Sequence, residues 1–255
     1  MLLVAESSSL IYLPFLSGIM ALILAIIHIF SGKLLFLKGI PRNAWLSIGS
    51  GVSVAYIFVH ILPELSEAQE TVNQATEQVL GFLEHHVYLV ALLGMSSFYG
   101  LEKAALRSRN RNQKAGNGDV TEPEIFWLHI AFFAVYNALI GYLLVHREEP
   151  GLLSLLLFFL AMALHFVVND YGLRENHKHI YDHVGRWILA AAIIAGWAIG
   201  IGTEIDKNSL ALLFAFLAGG VVLNALKEEL PENRESRFWA FALGAAIYAT
   251  LLIAI

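Results

Sequence analysis

The residues with chemistry to offer lie on, or just beyond, strongly apolar runs. His165 and Asn169 stand four apart, on one face of a helix, and Asp170 follows them near the end of the same run. In the preceding run His129, Phe133, Tyr136, Asn137 and Ile140 recur at i, i+3, i+4 and i+7 spacing, so they too share a face. A polar stretch, ENHKHIYDH, then carries His177, His179, Asp182 and His183. If this stretch is helical, His179 and His183 point the same way and could share a borderline divalent ion such as Zn²⁺. Far from these, His60 opens a group with Glu64, Glu84, His85, His86, His146, Glu148 and Glu149 that would form a cation-attracting rim. Intramembrane ionisable side chains tend to mark pathways and relays. Each of these residues also has a plainer account. Asn137 and His165 could make interhelical hydrogen bonds, Asp170 could be hydrated or pair with Arg174, and the loop and rim residues could simply be solvated.

The composition says what must position them. The 255 residues are 58% hydrophobic and 15% charged, against roughly 25% charged in soluble domains; mean hydropathy is +0.66. A net charge of −5 excludes a generally basic nucleic-acid binder. There is no cysteine, hence no disulfide and no thiolate ligand, so any metal would be held by His, Asp, Glu or Asn. The opening MLLVAESSSL has no basic n-region and is not read as a cleaved signal.

Eight continuous apolar runs of about 20 residues, each long enough for a bilayer core of about 30 Å, lie near 10–31, 44–63, 86–106, 125–146, 151–172, 185–203, 209–227 and 236–255. Continuous rather than alternating runs predict an all-α polytopic membrane protein with eight transmembrane helices, a single transmembrane domain over 1–255. Fourteen of the sixteen basic residues fall in or beside the segments 32–43, 107–124, 173–184 and 228–235. By the positive-inside bias these are cytoplasmic, which places both termini on the non-cytoplasmic side of a plasma or inner membrane. The Gly/Asn-rich 107–124 reads as a mobile cytoplasmic loop, and the acidic 64–85 as an external segment able to form a short helix. Gly196 and Gly200 form GxxxG, which lets helices approach closely, within the chain or in a homodimer. The segments GVSVAYIFVHILPE (51–64) and GGVVLNALKEELPE (219–232) share five of fourteen positions and would cross the membrane in opposite senses, the pattern of an inverted repeat.

These features resemble the ZIP (Zrt/Irt-like) family of divalent metal transporters. The ending HILPEL of the second run is similar to the family's His-Leu-Leu-Pro-Glu. YNALIG in the fourth run resembles His-Asn-x-x-Asp-Gly, and HFVVND in the fifth stands where the family has His-Glu-x-Pro-Glu-Gly. AGGVVLNALKEELPE is similar to its glycine-led seventh helix. The resemblance covers nearly the whole chain. It implies eight helices with inverted repeats of helices 1–3 and 6–8 around helices 4 and 5, and transport of a divalent cation (Zn, Fe or Mn) toward the cytoplasm. The path would be lined by Asn137, His165, Asn169 and Asp170, with His60, His129 and Tyr136 as further polar positions. His177, His179 and His183 would receive the ion. Asn137 and His165 keep the family's ligand types. Tyr136 stands in place of a His, Ile140 of an Asp, and Phe166 and Asn169 of two Glu. The departures also fit a second expectation, a non-transporting scaffold, sensor or partner subunit. No HExxH, GxSxG or GxxxxGK[ST] motif is present, so neither hydrolysis nor nucleotide-driven pumping is expected. The expected partners are lipid and the cation, with no cofactor beyond that ion as substrate.

Overall fold

The computed structural model describes residues 2–33, 42–76, 86–147, 151–229 and 237–254. Every regular element among them is helical. In order they are α1 (Leu2–Phe30) with a 3₁₀ turn (Ser31–Lys33), α2 (Arg42–Tyr56), a π turn (Ile57–Ile61), α3 (Leu62–Thr76), α4 (His86–Lys114) and α5 (Pro123–Leu143). Then come α6 (Leu152–Ile180), a second π turn (Tyr181–Gly185), α7 (Arg186–Gly202), α8 (Lys207–Glu229) and α9 (Phe238–Ile253).

Among the described residues six helical stretches are long and apolar enough to cross a membrane, and the shorter apolar α9 adds to them. One of the six, Leu152–Gly202, is 51 residues long, more than twice the length one crossing needs. The surface pattern agrees with lipid as solvent. Along α5, past the exposed Glu124 of its first turn, the large outward side chains are the apolar Trp127, Leu128 and Val135, and the buried ones include His129, Tyr136 and Asn137. The same inversion, large apolar groups outside and polar groups inside, holds for Phe15 and His28 on α1. Exposed apolar area on this scale marks a membrane-embedded or otherwise covered surface.

The chain forms two compact units, Met1–Leu34 with Ser108–Glu204, and Leu35–Arg107 with Ile205–Ile255. In the first, α5 and α7 pack by small residues. A Cβ on Gly196 would strike the backbone of Ala138, and one on Gly141 the carbonyl of Ile193. The predicted GxxxG thus works inside the chain. Residues 141 and 200 pair with 193 and 142, so the two helices run parallel. α1 crosses α7 in the opposite sense, with Trp197 Nε1 donating to Ser17 Oγ (3.0 Å) at one end and Arg186 donating to Ile29 O (3.0 Å) at the other. In the second unit Gly51 and Gly244 bring α2 against α9 backbone to backbone, and Gly94 and Gly219 do the same for α4 and α8.

Three boundaries differ from the sequence expectation. The helix predicted to end near 63 continues through Pro63 to Thr76. Proline removes an N–H and crowds the carbonyl four residues back, and the wider π turn just before it absorbs this, with Leu62 N–H reaching Ile57 O. The expected loop 107–124 is helical to Lys114. Its remainder folds back through Gly116 and Gly118, both at positive φ, onto Ser108, Arg109 and Asn112. The polar stretch 173–184, read as a loop, is also helical: α6 runs to Ile180, broken by the non-helical Lys178 (φ 51, ψ −128), and the π turn follows. Of the two repeat segments, the second lies partly outside the described residues.

Candidate functional site

The first unit gathers most of the residues singled out in the sequence, and it adds one that sequence reasoning missed. His28, near the end of α1, is 1% exposed and has both ring nitrogens engaged. Nδ1 lies 2.8 Å from Asp170 Oδ1 on α6, and Nε2 lies 2.7 Å from Asn137 Oδ1 on α5. The Asn137 amide is oriented by its own Nδ2, which donates to Phe133 O (2.7 Å). Its oxygen therefore faces His28, so Nε2–H donates. The remaining proton sits between His28 Nδ1 and Asp170 Oδ1. Whether it resides on the ring or on the carboxyl, the pair as a whole is neutral, which is how a His–Asp pair can be held inside an apolar bundle. Tyr181, from the π turn, donates its hydroxyl to the same Asp170 oxygen. The second oxygen, Oδ2, is buried with no hydrogen-bond partner among the described residues.

Beside this chain of bonds runs a second, built from sequence neighbours. His165 Nε2 accepts from Tyr136 OH (2.6 Å) and from Asn169 Nδ2 (2.8 Å). Two donors on one nitrogen fix His165 as the neutral ring protonated at Nδ1. The consecutive pairs Tyr136–Asn137 and Asn169–Asp170 thus feed two separate networks, joined through apolar contact where Phe166 lies against His28 (4.3 Å between ring centroids). The hydrogen bonds of Asn137 thus go to His28 and to Phe133 O, and those of His165 to Tyr136 and Asn169. The suggested Asp170–Arg174 pair is replaced. Arg174 turns away to Asp182 (2.7 Å) and Ser31 (3.2 Å).

The histidines of the polar stretch do not act as one group. His177 is buried, with Nδ1 on Thr121 Oγ1 (2.6 Å) and Nε2 on His129 Nδ1 (2.9 Å). His179 and His183 are exposed and lie against each other, ring centroids 3.8 Å apart. His60 belongs to the second unit, where it pairs with Glu64 (3.0 Å) and leans on Tyr56. His146 donates to Gly200 O (2.8 Å). The other rim residues, Glu84, His85, Glu148 and Glu149, lie outside the described residues or, like His86, have no described side chain. Among the described residues no group of three or more His, Asp or Glu side chains is arranged around one point as for a metal ion.

His28 carried a signal in the sequence. It is the single His, Asp, Glu, Lys or Arg in the apolar run 10–31, the kind of residue expected to face a bundle interior. Tyr181 carried none, because its role depends on the π turn that swings it onto Asp170.

Outside the membrane-type helices, Asp119 receives both Arg109 Nε (2.8 Å) and Nη2 (2.8 Å), with Lys178 Nζ at 3.3 Å. The Arg109 hydrogen bonds, helped by its charge and that of Lys178, hold the Asp119 carboxyl down to about 2.

Fold and site together define a class, an all-helical chain of membrane type with buried polar networks between its apolar helices. The comparisons go no further: no protein-family model, curated protein or solved structure matches the chain.

Proposed function

We propose that the chain is a ZIP-like carrier that moves a divalent cation, Zn²⁺ foremost with Fe²⁺ and Mn²⁺ as the other choices, toward the cytoplasm along the polar face shared by α1, α5 and α6. This reading takes up the eight-span, inverted-repeat plan with both termini outside. One observation supports it above the others. His28, Asn137 and Asp170 converge from three helices, and Asp170 keeps a buried, unpartnered oxygen. An imidazole nitrogen and a carboxylate are donors that borderline dications accept, and Asn137 would hold the ring through its other nitrogen. Asp170 would offset one of the two charges of such an ion. The cation would compete with the proton shared by His28 and Asp170, so binding would release it. No nucleotide-binding motif is present, so movement would follow a gradient.

A second reading has its own support. Tyr136 and Asn169 both occupy the one free lone pair of His165, and a closed network of that kind suits a scaffold or sensor that does not transport.

Flux measurements in liposomes distinguish the two. The parent should carry at least one of Zn²⁺, Mn²⁺ and Fe²⁺ above empty vesicles. Asp170→Asn and His28→Ala should lower that flux by at least about tenfold, a loss already typical when groups that merely support metal ligands are removed. A parent indistinguishable from empty vesicles for all three ions would end the carrier reading in favour of the non-transporting one.

A further inference from the structure

We propose that His179 and His183 form a separate, solvent-facing binding site for a borderline divalent cation (Cu²⁺, Ni²⁺ or Zn²⁺), and that occupancy of this site tightens the π turn that holds Tyr181 on Asp170. The inference needs no transport activity and stands apart from the buried cluster.

The observations are geometric. The two rings are four residues apart, with centroids 3.8 Å apart and planes tilted by 35°, and both are exposed. Among the described residues neither ring has a hydrogen-bond or ion-pair partner, so ion binding displaces no stronger partner. Two histidines at i, i+4 on one helical face are a recurrent way to hold a divalent ion with open positions left for water. The sequence grouped His177 with this pair, but the structure removes it, burying it against His129 and Thr121. What remains is a two-imidazole site, open and exchangeable.

Its position gives it a consequence. Between the two histidines lie Tyr181, which donates to Asp170, and Asp182, which receives Arg174. Immediately before them is Lys178, the one non-glycine residue at positive φ among those described. Such a conformation is uncommon for a side-chain-bearing residue and persists only when its surroundings hold it. An ion bridging His179 and His183 spans five of the seven residues between that break and α7. It thereby fixes the segment from which Tyr181 reaches the buried carboxylate.

The test uses the full-length chain in detergent, titrated separately with CuCl₂, NiCl₂ and ZnCl₂. Isothermal titration reads binding, and hydrogen exchange reads the turn. Affinity should be highest for Cu²⁺. His179→Ala and His183→Ala should each weaken binding roughly 100-fold, the low end of the gain from tethering two weak contacts. Asp170→Asn, which removes the carboxylate of the buried cluster, should still show saturable binding that His179→Ala and His183→Ala weaken, so the two readings can fail independently. In the parent, the ion should slow amide exchange across 179–187, and in the double variant it should not. Absence of saturable binding, loss in only one of the two alanine variants, or unchanged exchange across the turn on addition of the ion would each overturn the proposal.

Discussion

At the scale of single residues, His28 is the position on which the buried network turns. It is the link between Asp170 and Asn137, and both of its ring nitrogens are used. Removing one partner of a buried pair leaves the other desolvated without compensation, at a cost of about 3–5 kcal/mol. His28→Ala should destabilise the chain by that amount in denaturant titrations followed by circular dichroism in micelles. A double change, His28→Leu with Asp170→Leu, should recover most of the loss, because exchanging a whole buried pair for apolar side chains is often neutral. A double variant as unstable as the sum of its parts would show that the two residues do not interact. Asp170 already has one oxygen without a partner, so the single variant starts from an unfavourable position.

At the scale of elements, the segment after α4 shows how polar side chains fix a stretch rich in Gly and Asn. Ser108 Oγ accepts from Glu122 N–H, Asn112 donates to Val120 O, and Arg109 forks onto Asp119. The Asp119 carboxyl titrates lower in the folded chain than its ordinary 3.8. A depressed carboxyl contributes stability that is present above its unfolded pKa and is lost as pH falls through the folded one. The fastening should therefore be complete above about pH 4 and lost on acidification toward about 2. Asp119 is partly exposed, so solvent screens the pair and the effect is local. Hydrogen exchange of residues 115–122 should accelerate over that range in the parent. In Asp119→Asn it should be fast and pH-independent after correction for intrinsic exchange.

At the scale of the molecule, the two compact units are each built on helices in backbone contact at glycine. In the first unit a Cβ on Gly196 would lie 2.5 Å from the carbonyl carbon of Ala138 and 2.6 Å from its Cα. Those are backbone atoms of a packed helix and cannot rotate aside. Gly196→Ala should destabilise by about 1–3 kcal/mol, the range for overpacked cores. Gly100→Ala meets nothing within 4 Å and should be neutral or slightly stabilising, since alanine outranks glycine inside helices. Thermal unfolding of the two variants side by side checks this; equal midpoints would mean the α5–α7 contact is looser than the distances imply.

The sequence by itself determined the helical, membrane-type character, because continuous apolar runs are a local property that lipid enforces through backbone hydrogen bonding. It also picked out the buried face of α5 and the pair His165 and Asn169, because helical periodicity can be read residue by residue. Only the tertiary structure decided who meets whom. His28 lies 109 residues from Asn137 and 142 from Asp170 along the chain, and nothing in local spacing connects them. Likewise the polar stretch 173–184 had the composition of a loop, yet Arg174 bonding to Asp182 and Tyr181 bonding to Asp170 keep it helical up to and beyond Lys178. Hydrogen-bond partners inside a bilayer are chosen by reach across helices, and that reach is set by close approaches such as Gly141 and Gly196 make between α5 and α7.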